Sequence, residues 1–169
     1  LHVRSRRQRQ MCIRDSYMPK KLFNNLLESK NFQSGLQTLR QVEFALFDIK
    51  LHTEYSPKNK SFMKILNSVR AQVSVINTPT WNKFPHSFSH IFSGGYASAY
   101  YSYKWAEVLS ADAYSLFEEL GVLSKKAGNK FKKEILSKGG SRTAMESFIA
   151  FRGRKPKINA LLTHHGLTN

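Results

Sequence analysis

Apolar residues recur at intervals of three and four along most of the chain from Tyr17 onward. This spacing places side chains on one face of an α-helix. The pattern predicts helices over residues 19–27, 32–55, 61–74, 96–120, 127–138, 142–151 and 156–166. No stretch alternates apolar and polar residues as a half-buried strand does, and no internal repeat is present. The predicted fold class is therefore all-α.

Glycine, serine and proline residues between these segments predict where several helices begin and end. Gly121 suits the left-handed position that ends a helix, Ser141 suits an N-cap, and Pro156 suits a first helical turn. The helix over residues 32–55 carries apolar residues around more than one face, which predicts burial on two sides. Residues 77–95 contain two prolines and two glycines, so we predict an ordered loop, and loops of this length usually serve a function.

Composition and charge indicate whether the chain folds and whether it has a nucleic-acid partner. The hydrophobic share of 41% and the aromatic share of 12% are typical of a folded protein. The net charge of +16 and the pI near 10.1 would suit a nucleic-acid partner. Most of the basic residues, however, are single lysines spread over several segments, which predicts a solvated basic surface and no nucleic-acid partner. A basic, helical, non-enzymatic binding module is the rival interpretation, and steep salt dependence of binding would support it.

Cellular location follows from cysteine usage and hydropathy. Cys12 is the only cysteine, so an internal disulfide is excluded and a reducing compartment is permitted. No run of about 18 apolar residues predicts a membrane span, and the basic N-terminus lacks the apolar region of a secretory signal. We therefore expect a cytoplasmic protein with no membrane partner.

The first 16 residues differ in character from the rest. They hold five arginines and one aspartate without apolar periodicity, and the string RRQRQMCIRD resembles translated sequencing-adapter DNA. We predict that residues 1–16 are a non-native segment and that residues 17–169 are the protein portion, a basic targeting arm being the alternative. Because the chain begins with Leu1 rather than Met, we also expect a missing upstream part.

One cluster of residues carries chemical information. Tyr96, Tyr100 and Tyr103 stand at i, i+4 and i+7, so a helix starting at Tyr96 would place three phenols on one face. Phenols are neutral at pH 7 and can donate to a peptide carbonyl or a developing oxyanion. His90 adds a further donor, and the intervening Gly94-Gly95 pair gives the backbone freedom to adapt. From the residues alone, the same stripe also fits a partly buried core face.

The segment FPHSFSHIFSGGYASAYYSYKWAEVLSADAY, Phe84 to Tyr114, resembles a characteristic segment of the thimet oligopeptidase and oligopeptidase A family. That family shows the pattern F-x-H-I-F-x-G-G-Y-x-x-x-Y-Y-x-Y-x-W-x-x-V. RQVEFALFDIKLH, Arg40 to His52, and the stretch from Ser137 to Leu167 also resemble the matching family segments, in the same order. The resemblance extends over essentially all of residues 17–169.

This resemblance implies the C-terminal helical part of a zinc metallopeptidase that hydrolyses internal bonds of short peptides in the cytosol. It implies that His90 and Tyr103 are catalytic, with Tyr103 as the oxyanion donor, and that Tyr96 and Tyr100 bind substrate. It also implies that Gly94 and Gly95 lie in a flexible loop over the active-site channel. Short peptides are then the expected substrates.

The chain departs from the family pattern at the metal. The family holds its zinc with H-E-x-x-H and a downstream glutamate, and no H-E-x-x-H occurs in this sequence. The motif lies upstream of the region that resembles Tyr17, so the resemblance implies zinc in a full-length parent and no metal site in this chain. We expect the missing N-terminal part of the same polypeptide to supply it, and we expect this chain alone to be inactive. A standalone pseudo-enzyme that starts just before Tyr17 is a further alternative.

Two histidine pairs have more ordinary interpretations. His86 and His90 are four apart, but the loop between them and the lack of a third spaced ligand argue against a metal site. Asp48 and His52 are also four apart, and we predict a hydrogen-bonded pair within a packed helix.

For the charged residues near the C-terminus we predict structural roles and no catalytic ones. Arg152 and Arg154 could hold a substrate carboxylate, but capping and pairing between helices is the simpler prediction. His164 and His165 lie where cations favour the last turn of a helix, and we assign them no chemistry.

Overall fold

A computed structural model describes residues 18–58 and 61–168, and every regular element in those ranges is helical, which confirms the all-α class. In chain order the elements are α1 Lys20–Lys30, α2 Ser34–Glu54, α3 Phe62–Val73, two 3₁₀ turns Phe84–Ser87 and Ser89–Ile91, α4 Ser102–Leu120, α5 Lys125–Phe131, a π-helical turn Lys132–Leu136, α6 Ala144–Arg152 and α7 Asn159–His164. The prediction about residues 1–16 lies outside the described residues.

The chain divides into two compact units, residues 1–33 and 34–169. In the first unit, α1 has no buried residue, and its apolar side chains Leu22, Phe23, Leu26 and Leu27 are about half exposed. The helix predicted after Pro19 is therefore present.

The core around α2 and α3 positions the predicted loop. Phe47 and Leu51 of α2 pack with Ile65 and Leu66 of α3, and full burial of each such side chain contributes about 1.5–3 kcal/mol. The two 3₁₀ turns add Phe88 and Ile91 to the same core. Residues 84–91 are therefore fixed against α2, as expected for an ordered loop.

Helix α2 has buried contacts on more than one side, as predicted. Its buried residues are Glu43, Phe47, Asp48 and Leu51. Phe47 and Leu51 pack with α3, whereas the neighbouring Asp48 bonds to the backbone of residues 98–100. Leu39 and Ile49 are each 37% exposed, so part of their apolar surface remains open to solvent.

An ion cluster joins α4 to the end of α6. Asp112 of α4 is buried and accepts hydrogen bonds from the guanidinium of Arg154 and from the backbone N–H of Lys157, each with a bond of 2.7 Å. The guanidinium of Arg152 donates to Glu119 at 2.7 Å, and its Nε lies 3.6 Å from Asp112 Oδ1. The predicted pairing of both arginines between helices is confirmed.

Three helix boundaries differ from the sequence prediction. Thr143, rather than Ser141, caps α6, because its hydroxyl and the Glu146 carboxylate form a reciprocal capping box. The helix predicted over residues 127–138 begins at Lys125 and changes to a π-helical turn at Lys132. The last helix begins at Asn159 instead of Pro156.

Gly121 ends α4 with φ of 97° and ψ of 132°. The positive φ confirms why glycine stands there, since side chains disfavour that region. The ψ value, however, is not that of the left-handed helical cap that the sequence predicted.

The ion cluster predicts loss of stability in acid. Burial raises the pKa of Asp112, but its bonds from Arg154 and Lys157 outweigh burial, so the pKa lies below the ordinary value of an aspartic acid. A hydrogen bond from Arg152 lowers the pKa of Glu119 from its ordinary value. A carboxyl with a lowered pKa stabilises the fold above its unfolded pKa, and this contribution is lost as pH falls through the folded value. We therefore expect the free energy of unfolding to decrease as the pH is lowered below about 4.

Urea unfolding of the purified chain at pH 7, 4 and 3, followed by circular dichroism, measures this effect. Asp112→Asn serves as the comparison, and its stability should depend less on pH over the same range. Equal stability of the unaltered chain at pH 7 and pH 3 would contradict the prediction.

Candidate functional site

The helix predicted to start at Tyr96 starts six residues later, at Ser102, and that part of the prediction is wrong. Residues 97–101 form turns, and Ser98 has φ of 56°, in the left-handed region that a right-handed helix cannot contain. We call residues 96–101 the tyrosine turn. Its shape depends on contacts with α2.

Asp48 holds the tyrosine turn from α2. Its side chain is fully buried, and its two carboxylate oxygens accept the backbone N–H groups of Ser98 and Tyr100, each at 2.9 Å. His52 Nδ1 lies 3.0 Å from Asp48 Oδ1, which confirms the predicted pair on the helix. The sequence interpretation missed the larger role of Asp48, although an acidic residue on the apolar face of α2 was a usable signal.

The structure brings together four of the predicted site residues. The ring centroid of Tyr103 lies 5.0 Å from that of Tyr96 and 5.1 Å from that of Tyr100. The imidazole of His90 lies 6.2, 6.1 and 6.4 Å from the rings of Tyr96, Tyr100 and Tyr103. We call these four residues the tyrosine cluster. The phenols converge through the tyrosine turn rather than through a shared helical face, and the roles assigned to them remain predictions.

The double glycine lets the backbone fold back onto His90. A Cβ at Gly94 would lie 2.8 Å from the Cα of His90, which is closer than real contacts allow, and Gly95 has φ of 79°. The N–H of Gly94 bonds to the carbonyl of Ser89 at 2.9 Å, and the N–H of Tyr96 bonds to the carbonyl of His90 at 3.1 Å. The glycines therefore allow the close approach that places Tyr96 beside His90.

The hydroxyl groups of the cluster differ in their bonding. Tyr100 is half-buried and donates its hydroxyl proton to Gln41 Oε1 at 2.9 Å, whereas Tyr103 is 39% exposed. A hydrogen bond with Tyr96, and then burial, raises the pKa of Tyr103, while burial raises the pKa of Tyr100. Tyr100 and Tyr103 thus keep their protons at pH 7, and the exposed Tyr103 can present a neutral hydroxyl to a ligand.

The other predicted histidines lie elsewhere. His86 packs against Phe62 at 5.5 Å between ring centroids, outside the tyrosine cluster. His164 pairs with Glu118 at 3.0 Å, and His165 Nδ1 lies 3.3 Å from the Thr38 hydroxyl.

Two further observations concern ligands and membranes. Within residues 18–58 and 61–168, no group of three or more His, Cys, Asp or Glu side chains is arranged to hold a metal ion. None of the helices in those ranges is both long and apolar enough to cross a membrane.

Comparison with known proteins decides the family. A profile of peptidase family M3 matches residues 5–167, which is nearly the whole chain. The chain belongs to peptidase family M3. The tyrosine cluster of this M3 chain therefore lies in a segment shared with peptidases.

Several relatives of this M3 chain are oligopeptidases. It is 52% identical to oligopeptidase A of Haemophilus influenzae over 153 residues and 50% identical to oligopeptidase A of Salmonella typhimurium over 151 residues. Saccharolysin of Saccharomyces cerevisiae is 37% identical over 153 residues. These alignments cover 89 to 90% of this chain but only 22% of each relative. The chain thus spans less than a quarter of the length of the relatives that it matches.

Proposed function

We propose that this chain is the C-terminal part of an oligopeptidase A-like zinc metallopeptidase that hydrolyses internal bonds of short peptides, and that it forms one wall of the substrate channel. The observation that carries the proposal is the tyrosine cluster. Three phenols and an imidazole converge on one site, in a chain that is 48 to 52% identical to bacterial oligopeptidase A. Such a group suits an extended peptide, whose carbonyls need donors at several points.

Each side chain has a proposed part in the reaction. Attack on a peptide carbonyl places negative charge on its oxygen, and preorganised donors stabilise that charge. Tyr103 donates its hydroxyl proton as a hydrogen bond to this oxygen, and His90 provides a second polar group beside it. The ring of Tyr96 packs beside that of Tyr103 at 5.0 Å between centroids, and both Tyr96 and Tyr100 contact the peptide. Gly94 and Gly95 shape the loop that carries His90 towards them.

The zinc of the proposed parent must be held elsewhere in the polypeptide. The described residues do not fit a zinc site, because they contain no cluster of three candidate ligands. When bound, zinc would supply Lewis-acid chemistry at the attacked carbonyl. We propose that the ligands and the general base lie in the remainder of the parent polypeptide, so this chain alone neither binds catalytic zinc nor cleaves peptides.

Exposed apolar surface supports a missing partner segment. In the second unit, Val75, Ile76 and Trp81 are 67, 68 and 76% exposed, and the neighbouring groove lined by Leu36 and Leu39 encloses about 300 Å³. Contiguous apolar patches on a protein surface mark interaction sites. We propose that the remainder of the same polypeptide covers this surface.

The proposed parent is cytoplasmic, with no nucleic-acid or membrane partner. One plant relative is named a probable cytosolic oligopeptidase A.

A chimeric enzyme tests the proposal. Residues 17–169 of this chain replace the aligned C-terminal segment of Escherichia coli oligopeptidase A, which is 48% identical to this chain. We expect the chimera to cleave a quenched fluorescent peptide of about ten residues, and we expect the chain alone to show no turnover. A folded, zinc-loaded chimera without peptidase activity would contradict the assigned wall. Zinc-dependent turnover by the chain alone would contradict its assigned inactivity.

A further inference from the structure

Tyr100 is held at two points by the same face of α2. Gln41 and Asp48 are seven residues apart, which is about two helical turns, so their side chains project in the same direction. Asp48 Oδ2 accepts the backbone N–H of Tyr100, and Gln41 Oε1 accepts its hydroxyl proton, each at 2.9 Å. The backbone and the tip of one tyrosine are therefore both bonded to α2.

Ring contacts complete this arrangement. The ring of Tyr100 meets Phe88 edge-on at 5.1 Å and Phe44 edge-on at 5.8 Å between centroids. Both phenylalanines belong to or pack against the core between α2 and the 3₁₀ turns. They contact the Tyr100 ring, while the bonds to Asp48 and Gln41 hold its backbone and its hydroxyl. Reorientation of the hydroxyl therefore requires the loss of a bond to Gln41 as well as packing.

The bond to Gln41 fixes the polarity of the Tyr100 hydroxyl. A phenol has one proton to donate and two lone pairs that can accept. Because the proton is directed to Gln41 Oε1, the hydroxyl oxygen of Tyr100 has only acceptor capacity left.

We infer that Gln41 is a positioning residue that fixes Tyr100 as an acceptor of a peptide N–H group. This inference rests on the proposed function, because it assigns hydrogen-bond directions within the proposed substrate wall.

Kinetics of the chimera test the assignment. Tyr100→Phe removes the acceptor, so KM should rise about fivefold with kcat nearly unchanged, as expected for one neutral hydrogen bond. Gln41→Met has a similar shape without the acceptor oxygen, and it should raise KM by a similar or smaller factor. Gln41→Met combined with Tyr100→Phe should be no worse than Tyr100→Phe alone, because both changes remove the same interaction.

Depsipeptide substrates identify the N–H group. Each analogue replaces one non-scissile peptide N–H by an ester oxygen. One analogue should lose about fivefold in kcat/KM with the unaltered chimera and lose nothing further with Tyr100→Phe. Gln37→Leu is the matched control, since Gln37 lies on α2 one turn earlier and is exposed. This control should leave KM unchanged.

Two kinetic results would overturn the inference. If Gln41→Met left KM unchanged while Tyr100→Phe raised it, Gln41 would not set the direction of the Tyr100 hydroxyl. If Tyr100→Phe lowered kcat strongly without a change in KM, Tyr100 would be a donor in the transition state. Equal losses for every depsipeptide in both backgrounds would likewise exclude an N–H contact at Tyr100.

Hydrogen exchange separates this inference from the proposed function. In Asp48→Asn, one acceptor oxygen becomes an amide, so a peptide covering residues 96–101 should exchange faster in mass spectrometry. Asp112→Asn is the control, because it alters another buried aspartate that has no contact with the tyrosine turn among the described bonds. Unchanged exchange in Asp48→Asn would refute the attachment to α2. An inactive chimera with faster exchange in Asp48→Asn would refute the proposed function alone.

Discussion

Tyr103→Phe is expected to lower kcat of the chimeric oligopeptidase about 100- to 1000-fold, the usual cost of removing one oxyanion donor. The change removes a single oxygen and keeps the ring, so the contacts of that ring with Tyr96 and Tyr100 are retained. Because the hydroxyl acts on charge that develops during the reaction, KM should change little. Initial rates over a range of peptide concentrations give both constants.

Tyr101→Phe is the matched control for this prediction. Tyr101 is the neighbouring phenol, is 51% exposed and has no ring contact with the tyrosine cluster among the described pairs. The control should retain kcat within about twofold. Zinc content should be equal in both variants, and a Tyr103→Phe enzyme with full kcat would remove Tyr103 from the proposed mechanism.

Asp112→Ala is expected to lower the free energy of unfolding of the chain by about 3–5 kcal/mol, the typical cost of removing one partner from a buried ion pair. The substitution leaves the guanidinium of Arg152, only 5% exposed, beside an apolar methyl group. The Nε of Arg152 already lacks a hydrogen-bond partner within the described part of the chain, so loss of the nearby carboxylate leaves the exposed Glu119 as the remaining charged partner of this guanidinium.

Urea unfolding at pH 7 measures this loss, and Glu119→Ala provides the comparison. Glu119 bonds to the same Arg152, but its side chain is 56% exposed, so its removal should cost no more than about 1 kcal/mol. If the two variants lost similar amounts of unfolding free energy, the burial of Asp112 would not determine how much it stabilises the fold.

The all-α class and the main helices could be predicted because they follow from local periodicity. The apolar spacing in residues 61–74 predicts α3, and Ile65, Leu66 and Val69 are buried as that spacing requires. Ser61 caps the helix through a bond from the Met63 N–H, which is also a local signal.

The start of α4 could not be predicted, because a distant residue decides it. Residues 96–101 have helical spacing, yet two of their N–H groups bond to Asp48, 50 and 52 positions earlier. A tertiary bond of this kind overrides local propensity. The four cluster residues were nevertheless found, since the family pattern marks their identity whatever the backbone between them does. Gln41 was missed because a polar residue on a helix has no distinctive spacing of its own.

The attachment of the tyrosine turn to Asp48 also affects the order of folding. A bond that spans about 50 residues requires a large loop to close, and this entropy must be lost before the contact can stabilise anything. Helices α2 and α3 can form and pack first from local contacts. Asp48 is then in place before residues 96–101 bind to it. We therefore expect the tyrosine turn to form last, when Ser98 and Tyr100 reach a carboxylate that is already in position.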